Sequence, residues 1–400
     1  MNIRFLPIVA IAVAVASPAA AQAPRTTGHS HAEIAVEVNA AMQQAETAVH
    51  EAMRQVQSEI RAIERDVLRH RVQVRVSPKA GWAAKSWVES QESRRGPEQT
   101  DHISKAFNVG PNGTLDLYNI SGNIVINEGG ADTVSIEAVK RARGSDFKEQ
   151  FARTKVLMVE RGGRIEVRTD YTREGCPEGR RGNCNSASVD YTVTAPAGTS
   201  MNIKSVSGDI RITNIRGELR AESVSGNVIA AGATGATLLK SVSGDVDVSA
   251  VATQTELRME SVSGDVKVHG AKIRSLAAET VSGNLDLGDI VTDRVSGKSV
   301  SGNVYYSGTV SRGGRYTLAS HSGDVRLYVP AEAGFELDAK TFSGNIRSDL
   351  PLTMGGPGRE AVKAGHDKGL RGTYGDAGAL LSLSSFSGNI VVAKAGTGKK

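Results

Sequence analysis

One tripeptide punctuates the chain. Ser-Gly followed by Asp or Asn recurs with its glycine at Gly122, Gly208, Gly226, Gly244, Gly264, Gly283, Gly302, Gly323, Gly344 and Gly388. Between Gly208 and Gly344 the spacings are 18, 18, 20, 19, 19, 21 and 21 residues. A period near 20 means one supersecondary unit per repeat, stacked in one dimension. Apolar residues fall at −2, +2 and +4 from the glycine, as in Val242, Val246 and Val248 or Val262, Val266 and Val268, which is strand alternation. Glycine weakens a strand interior, so it is placed at a corner where the chain needs positive φ. No helical pattern separates the strands. The expected fold is all-β: a parallel β-solenoid in which each coil adds about 4.8 Å. Composition agrees. Aromatics are only 4% while glycines number 44, so the core must be built from Val, Ile, Leu and small residues in thin repeated layers.

Stacking turns repeated positions into columns. Position −1 is Ser throughout, and −3 carries a hydroxyl from Ser205, Ser223, Ser241, Ser261, Thr280, Ser299, Ser320, Thr341 and Ser385. Position −2 runs Val206, Val224, Val242, Val262, Val281 and Val300, then His321, Phe342 and Phe386; His321 reads as replacing a core valine. Position −4 mixes Lys204, Glu222, Lys240, Glu260, Glu279 and Lys298, so most stacked neighbours have opposite charge. Position +1 interleaves Asp with Asn, which reduces the self-repulsion or cation demand of an all-Asp column.

The flanks have a different character. Residues 1–21 carry Arg4, an apolar run from Ile8 to Ala16 and Ala19-Ala20-Ala21, the layout of a signal peptide cleaved before Gln22. No later segment is apolar enough to span a bilayer. Residues 22–76 are expected to form a long amphipathic helix, whose apolar stripe between residues 30 and 71 is suited to self-association or to packing on the body. A linker follows over 77–100, the solenoid over 101–395 and a tail over 396–400. Two departures from the repeat, at about 140–190 and 351–378, read as insertions, the first with a short helix near Asp146–Ala152. The only cysteines, Cys176 and Cys184, are read as a disulfide pinching a loop; a redox pair or metal site lacks the Cys-x-x-Cys spacing and nearby His. Lys and Arg number 48 against 43 Asp and Glu, a net +5 that does not indicate a nucleic-acid surface.

The opening Phe107-Asn-Val-Gly-Pro-Asn-Gly-Thr-Leu-Asp-Leu-Tyr-Asn-Ile-Ser-Gly-Asn-Ile-Val-Ile and the run Tyr191-Thr-Val-Thr-Ala-Pro-Ala-Gly-Thr resemble the bacterial putative-adhesin β-strand-repeat family (DUF4097) over about residues 101–395. The resemblance implies a right-handed solenoid at the cell envelope. It supplies no catalytic residues. The phosphate-loop-like Gly297-Lys298-Ser299 lacks the required upstream glycine, which is Thr292, and lies among strands. No catalytic, cofactor-binding or metal residues are assigned. Calcium is the least implausible ion, but the Gly-Gly-x-Gly-x-Asp repeat is absent. The sequence therefore predicts a non-enzymatic exported protein of the periplasm, outer envelope or medium. Its scaffold would serve adhesion or contact with a surface protein or glycan. The alternatives are an envelope-stress or signalling accessory, and a polysaccharide-active enzyme.

Overall fold

The computed structural model describes residues 98–172, 186–353 and 368–395. The signal segment 1–21, the helix expected over 22–76, most of the linker, Cys176, Cys184 and the tail 396–400 lie outside the described residues.

Two sheets face each other, and each coil gives one strand to each. The N-terminal end begins with β1 (Glu98–Asn108), so the last residues of the expected linker are already strand. Strands β2 (Thr114–Ser121) and β3 (Ile124–Glu128) form a coil joined at Gly122. The chain then leaves the stack through β4 (Thr133–Arg143), helix α1 (Phe147–Arg153) and β5 (Thr154–Arg161). It returns as β6 (Arg164–Tyr171) and β7 (Ser188–Ala195), which lie on the outer side of the β2–β3 coil. The antiparallel pairs β1–β4, β4–β7 and β5–β6 close this end. Closing strands of this kind shield edges that would otherwise template pairing with another chain.

Regular coils follow. Strands β8 (Ser200–Ser207), β10 (Leu219–Ser225), β12 (Ala236–Ser243), β14 (Ala252–Ser263) and β16 (Lys272–Ser282) stack in parallel in one sheet. Shorter strands β9 (Ile210–Thr213), β11 (Val228–Ala231), β13 (Val246–Ser249) and β15 (Val266–His269) stack in the other. The 17-residue β17 (Leu285–Ser301) starts in the short-strand sheet and ends in the long-strand sheet, with its register shifted between Leu287 and Ile290. Within that shift Asp289 takes φ +52°, a local kink that carries the chain from one sheet to the other. The coils continue with β18 (Val304–Gly308), β19 (Arg315–Ser320) and β20 (Val325–Val329).

The C-terminal end departs from sequence order. Strands β21 (Phe335–Thr341) and β22 (Ile346–Ser348) form the outermost coil. After β23 (Lys368–Tyr374), which runs antiparallel on β21, the chain turns back. Its last strands, β24 (Ala379–Ser385) and β25 (Ile390–Lys394), insert between the β19–β20 and β21–β22 coils. The expected insertion over 351–378 thus contains, among its described residues, a strand of its own, from which the chain turns into the last coil.

The core lies between the sheets. Ile203, Leu239, Met259, Leu276 and Leu318 point in from the long strands, and Val228, Val246, Val266, Leu285, Val304 and Val325 from the short ones. Each such side chain contributes about 1.5–3 kcal/mol by leaving water. Gly297 faces this core: a Cβ there would meet Leu318 Cδ2 at 3.0 Å, so its place within β17 makes room for large neighbours.

Two expectations about the corner are corrected. Position −2 is not core: Val206 and Val224 are each 50% exposed, and His321 lies half-buried in the same outward column. Inward positions are odd before the corner and even after it, because the chain changes sheets there and the inward face changes parity. Positive φ is also not the general reason for the glycines. It occurs at Gly122 (114°), Gly208 (134°) and Gly226 (148°), whereas the later corner glycines are outside the left-handed region. Their reason is close approach. A Cβ on Gly244 would sit 2.3 Å from the Gly226 carbonyl oxygen, and one on Gly264 2.2 Å from that of Gly244.

Candidate functional site

The corners build one continuous polar spine. The glycine column runs 122, 208, 226, 244, 264, 283, 302, 323, 388, 344, each glycine after the first abutting the carbonyl of the one before. That carbonyl accepts a hydrogen bond from the buried −3 hydroxyl of the next coil: Ser241 Oγ donates to Gly226 at 2.8 Å, Ser261 to Gly244 at 2.9 Å and Thr280 to Gly264 at 2.9 Å. Ser385 bonds Gly323, and Thr341 bonds Gly388, following the stack and not the sequence. At +1 the side-chain oxygen accepts from the next coil's backbone N–H. Asn227 receives the Asp245 N–H at 2.8 Å, Asp245 that of Asp265 at 2.9 Å, and Asp265 that of Asn284 at 2.8 Å. Either Asp or Asn supplies that oxygen, which accounts for their interleaving.

Charges settle around this spine. Lys204–Glu222, Lys240–Glu260 and Lys298–Glu279 pair at 3.1, 3.2 and 2.9 Å in the −4 column. Asp245 and Asp265 share Lys267, whose ammonium is 3.3 and 3.5 Å from their carboxylates. Burial works against the Lys267 cation, but its hydrogen bonds and the two negative charges outweigh this and raise its pKa. The outward −2 column ends in an aromatic stack, His321 on Phe386 and Phe386 on Phe342, with ring centroids 4.8 Å apart at both contacts.

At the N-terminal end the spine changes chemistry. Asn119 occupies position −3 and donates to the Gly122 and Val189 carbonyls at 3.0 and 2.8 Å. Its Oδ1 accepts from Thr169, which also bonds the Tyr191 hydroxyl at 2.7 Å. Burial pushes the Tyr191 pKa up to about 12. With Asn119 on the Gly122 carbonyl, the buried Ser205 hydroxyl has no hydrogen-bond partner.

The outer face of the short-strand sheet carries a shallow hollow of about 510 Å³ between the β15 and β18 coils. Its existence follows from one glycine. Gly288 pairs with His269 in adjacent strands, and with no side chain it leaves a dip in a column otherwise filled by His269, Ser307 and Tyr328. A Cβ on Gly288 would meet His269 Nδ1 at 2.8 Å, so the imidazole lies over the bare backbone. Asp286 faces His269 across 3.8 Å, and Tyr305 forms the opposite wall. Tyr305 is in turn braced by Tyr328, with centroids 5.2 Å apart and planes tilted by 41°.

The family model described as Toastrack DUF4097 matches residues 112–393. The chain belongs to this family. The match covers both sheets from β2 into β25, including the out-of-order Toastrack coils at each end. Similar solved structures include a putative adhesin from Bacteroides fragilis NCTC 9343, at 13% identity and TM-score 0.35, covering 74% of this chain and 97% of that one. A putative adhesin from Parabacteroides merdae ATCC 43184 has 8% identity, TM-score 0.34, and coverage of 73% and 95%. A putative lipid binding protein from Parabacteroides distasonis ATCC 8503 has 9% identity, TM-score 0.31, and coverage of 74% and 96%. No curated protein matches the chain.

Sequence reasoning about this Toastrack chain named the corner residues and missed the hollow. The available signal was Gly288 standing at an outward position between His269 and Ser307, one coil from an outward tyrosine. The structure brings the ten corner glycines together, while Cys176 and Cys184 lie outside the described residues.

Proposed function

We infer that this Toastrack protein is an exported, non-enzymatic scaffold of the cell envelope whose stacked coils present a long surface for adhesion or protein contact. One observation carries the reading: the repeat commits its polar chemistry to holding coils together. The −3 hydroxyls donate to glycine carbonyls, the +1 carboxylates and carboxamides accept backbone N–H groups, and the −4 charges pair between coils. A glycoside hydrolase on such a stack would need paired carboxylates held away from these duties. Export is supported by the signal layout of residues 1–21.

The test uses the full chain in its native cell. Fractionation and intact mass should recover a protein beginning at Gln22 in the envelope or medium. Cross-linking there should join the outer faces of the coils to an envelope protein or glycan. Retention of residues 1–21 on a cytoplasmic chain would overturn export. Release of new sugar ends from envelope polysaccharide by the purified protein would overturn the non-enzymatic reading.

A further inference from the structure

We propose that the hollow over Gly288 is a saccharide-binding subsite that takes one sugar ring of a surface glycan. This rests on the contact-scaffold reading above and names a ligand class and a place for it. A sugar ring offers an apolar C–H face and a rim of hydroxyls. Its binding calls for an aromatic side chain held in one orientation, and for polar groups that both donate and accept at the rim. The hollow has both.

Tyr305 is the wall for the C–H face. It stands in the outward +3 column between Asp286 and Arg326, and contact with Tyr328 in the next coil fixes its ring before any ligand arrives. Prior ordering lowers the entropy cost of binding. The rim is mixed. Asp286 supplies carboxylate oxygens that can accept from two adjacent hydroxyls. Asn303 spends its Oδ1 on the Asp324 N–H at 2.9 Å, which leaves its amide hydrogens to donate. His269, whose imidazole lies over Gly288, and Ser307 add groups that can donate or accept. The repeat explains why this occurs once. In the same column the neighbouring coils place His269 and Ser307, and only the Gly288 coil omits a side chain beside an outward tyrosine.

The full-length protein should be applied to an array of bacterial capsular and lipopolysaccharide glycans, with host-type glycans printed alongside. Binding of a defined subset is expected, and whether it is bacterial or host-type identifies the source of the ligand. Tyr305→Ala and Gly288→Val, the second driving the His269 imidazole out of its place over the glycine, should each weaken that binding at least tenfold. Asp247→Ala, on the same outer face two coils away, should leave it unchanged. Circular dichroism should show that all three variants keep the β signal; a floor variant that unfolds is replaced by Gly288→Ala, which adds a single methyl. Absence of glycan binding, or equal binding by all variants, overturns the proposal. In that event cross-linking to an envelope protein would leave the scaffold reading standing. Cleavage of the bound glycan would instead overturn the scaffold reading.

Discussion

The middle of the stack and its two ends are built from the same corner and obey different rules. From Gly208 to Gly323 each coil lies on the one before it in sequence, and the +1 column runs on without a break. Every −3 hydroxyl from Ser223 to Ser320 bonds the preceding glycine carbonyl, while the −4 column pairs opposite charges except where Glu260 stacks on Glu279. At both ends the order is exchanged. The β2–β3 coil sits between the β6–β7 and β8–β9 coils, and the β24–β25 coil enters between β20 and β22. Antiparallel strands then cover both sheets at the N-terminal end and the long-strand sheet at the C-terminal end. A middle coil has an identical neighbour on each side and can rely on repetition. A terminal coil has only one such neighbour, so it replaces the missing contacts with other chemistry, such as Asn119, Thr169 and Tyr191 at the N-terminal end.

The largest test of this contrast is the glycine column. Gly244→Val places a Cβ 2.3 Å from the Gly226 carbonyl, with coils packed tightly on both sides, and should cost more than ~3 kcal/mol. Gly344→Val makes a tighter clash, 1.9 Å from the Gly388 carbonyl, yet it lies in the outermost coil, which can move away. Its cost should be clearly smaller and confined to fraying of that end. Chemical denaturation with circular dichroism compares the two. Equal costs would show that the ends are no more compliant than the middle.

Alkaline pH should find the N-terminal end next. Burial raises the folded pKa of Tyr191 from an ordinary 10 to about 12, so the neutral form is favoured in the fold. The stabilisation is present in full below pH ~10 and is lost as pH rises through ~12, on the order of 3 kcal/mol. Burial also raises Tyr306 and Tyr316, whose rings meet at 5.7 Å in the later coils. Tyr191→Phe should remove the N-terminal share of this alkaline loss while giving up the bond to Thr169 at neutral pH. Stability measured between pH 8 and 12 for both proteins decides it; identical slopes would mean that Tyr191 does not report on this end.

The hydroxyl column gives a smaller and sharper comparison. Ser241→Ala removes a bond to the Gly226 carbonyl and should cost about 1 kcal/mol. Ser205→Ala removes a buried hydroxyl that makes no hydrogen bond, so it should be neutral or slightly stabilising. Matching losses in thermal unfolding would show that Ser205 is satisfied in solution and that the spine does not change at Asn119.

These contrasts also mark what the sequence could convey. The coil itself was legible because its period, its hydroxyl column and its alternating charges repeat many times. Coil order was not. Thr341-Phe342-Ser343-Gly344-Asn345 and Ser385-Phe386-Ser387-Gly388-Asn389 carry nearly the same motif, which specifies what a corner looks like and not which corner it lies on. The outward valines were misread for a related reason: alternation within a strand is local, whereas the change of inward parity at the corner belongs to the turn between sheets. The hollow depends on the juxtaposition of three coils, and a single coil shows only a glycine. Positive φ at the corner was a sound expectation for an isolated turn. In the stack most of these glycines are required instead by a neighbouring carbonyl about 2 Å from where a Cβ would be.

The smallest effect concerns the column that decides whether the spine is structural or binds metal. Asp245→Asn keeps the oxygen that accepts the Asp265 N–H, so the coil-to-coil bond survives. It gives up one of the two carboxylates around Lys267, while Asp265 remains 3.5 Å from the ammonium. It also relieves the repulsion between two stacked carboxylates. The lost pair is partly exposed and worth at most ~1 kcal/mol, and the relieved repulsion opposes it, so the net change should lie within about 0.5 kcal/mol. Thermal unfolding with and without calcium, and with a chelator, provides the measurement. A metal-holding column predicts the opposite pattern: calcium would stabilise the wild type alone, and the substitution would be severely destabilising. Near-neutrality in all three conditions would mean that Asp and Asn interchange here because the position needs one acceptor oxygen and little else, the same demand that every coil from Asn123 to Asn345 places on its neighbour.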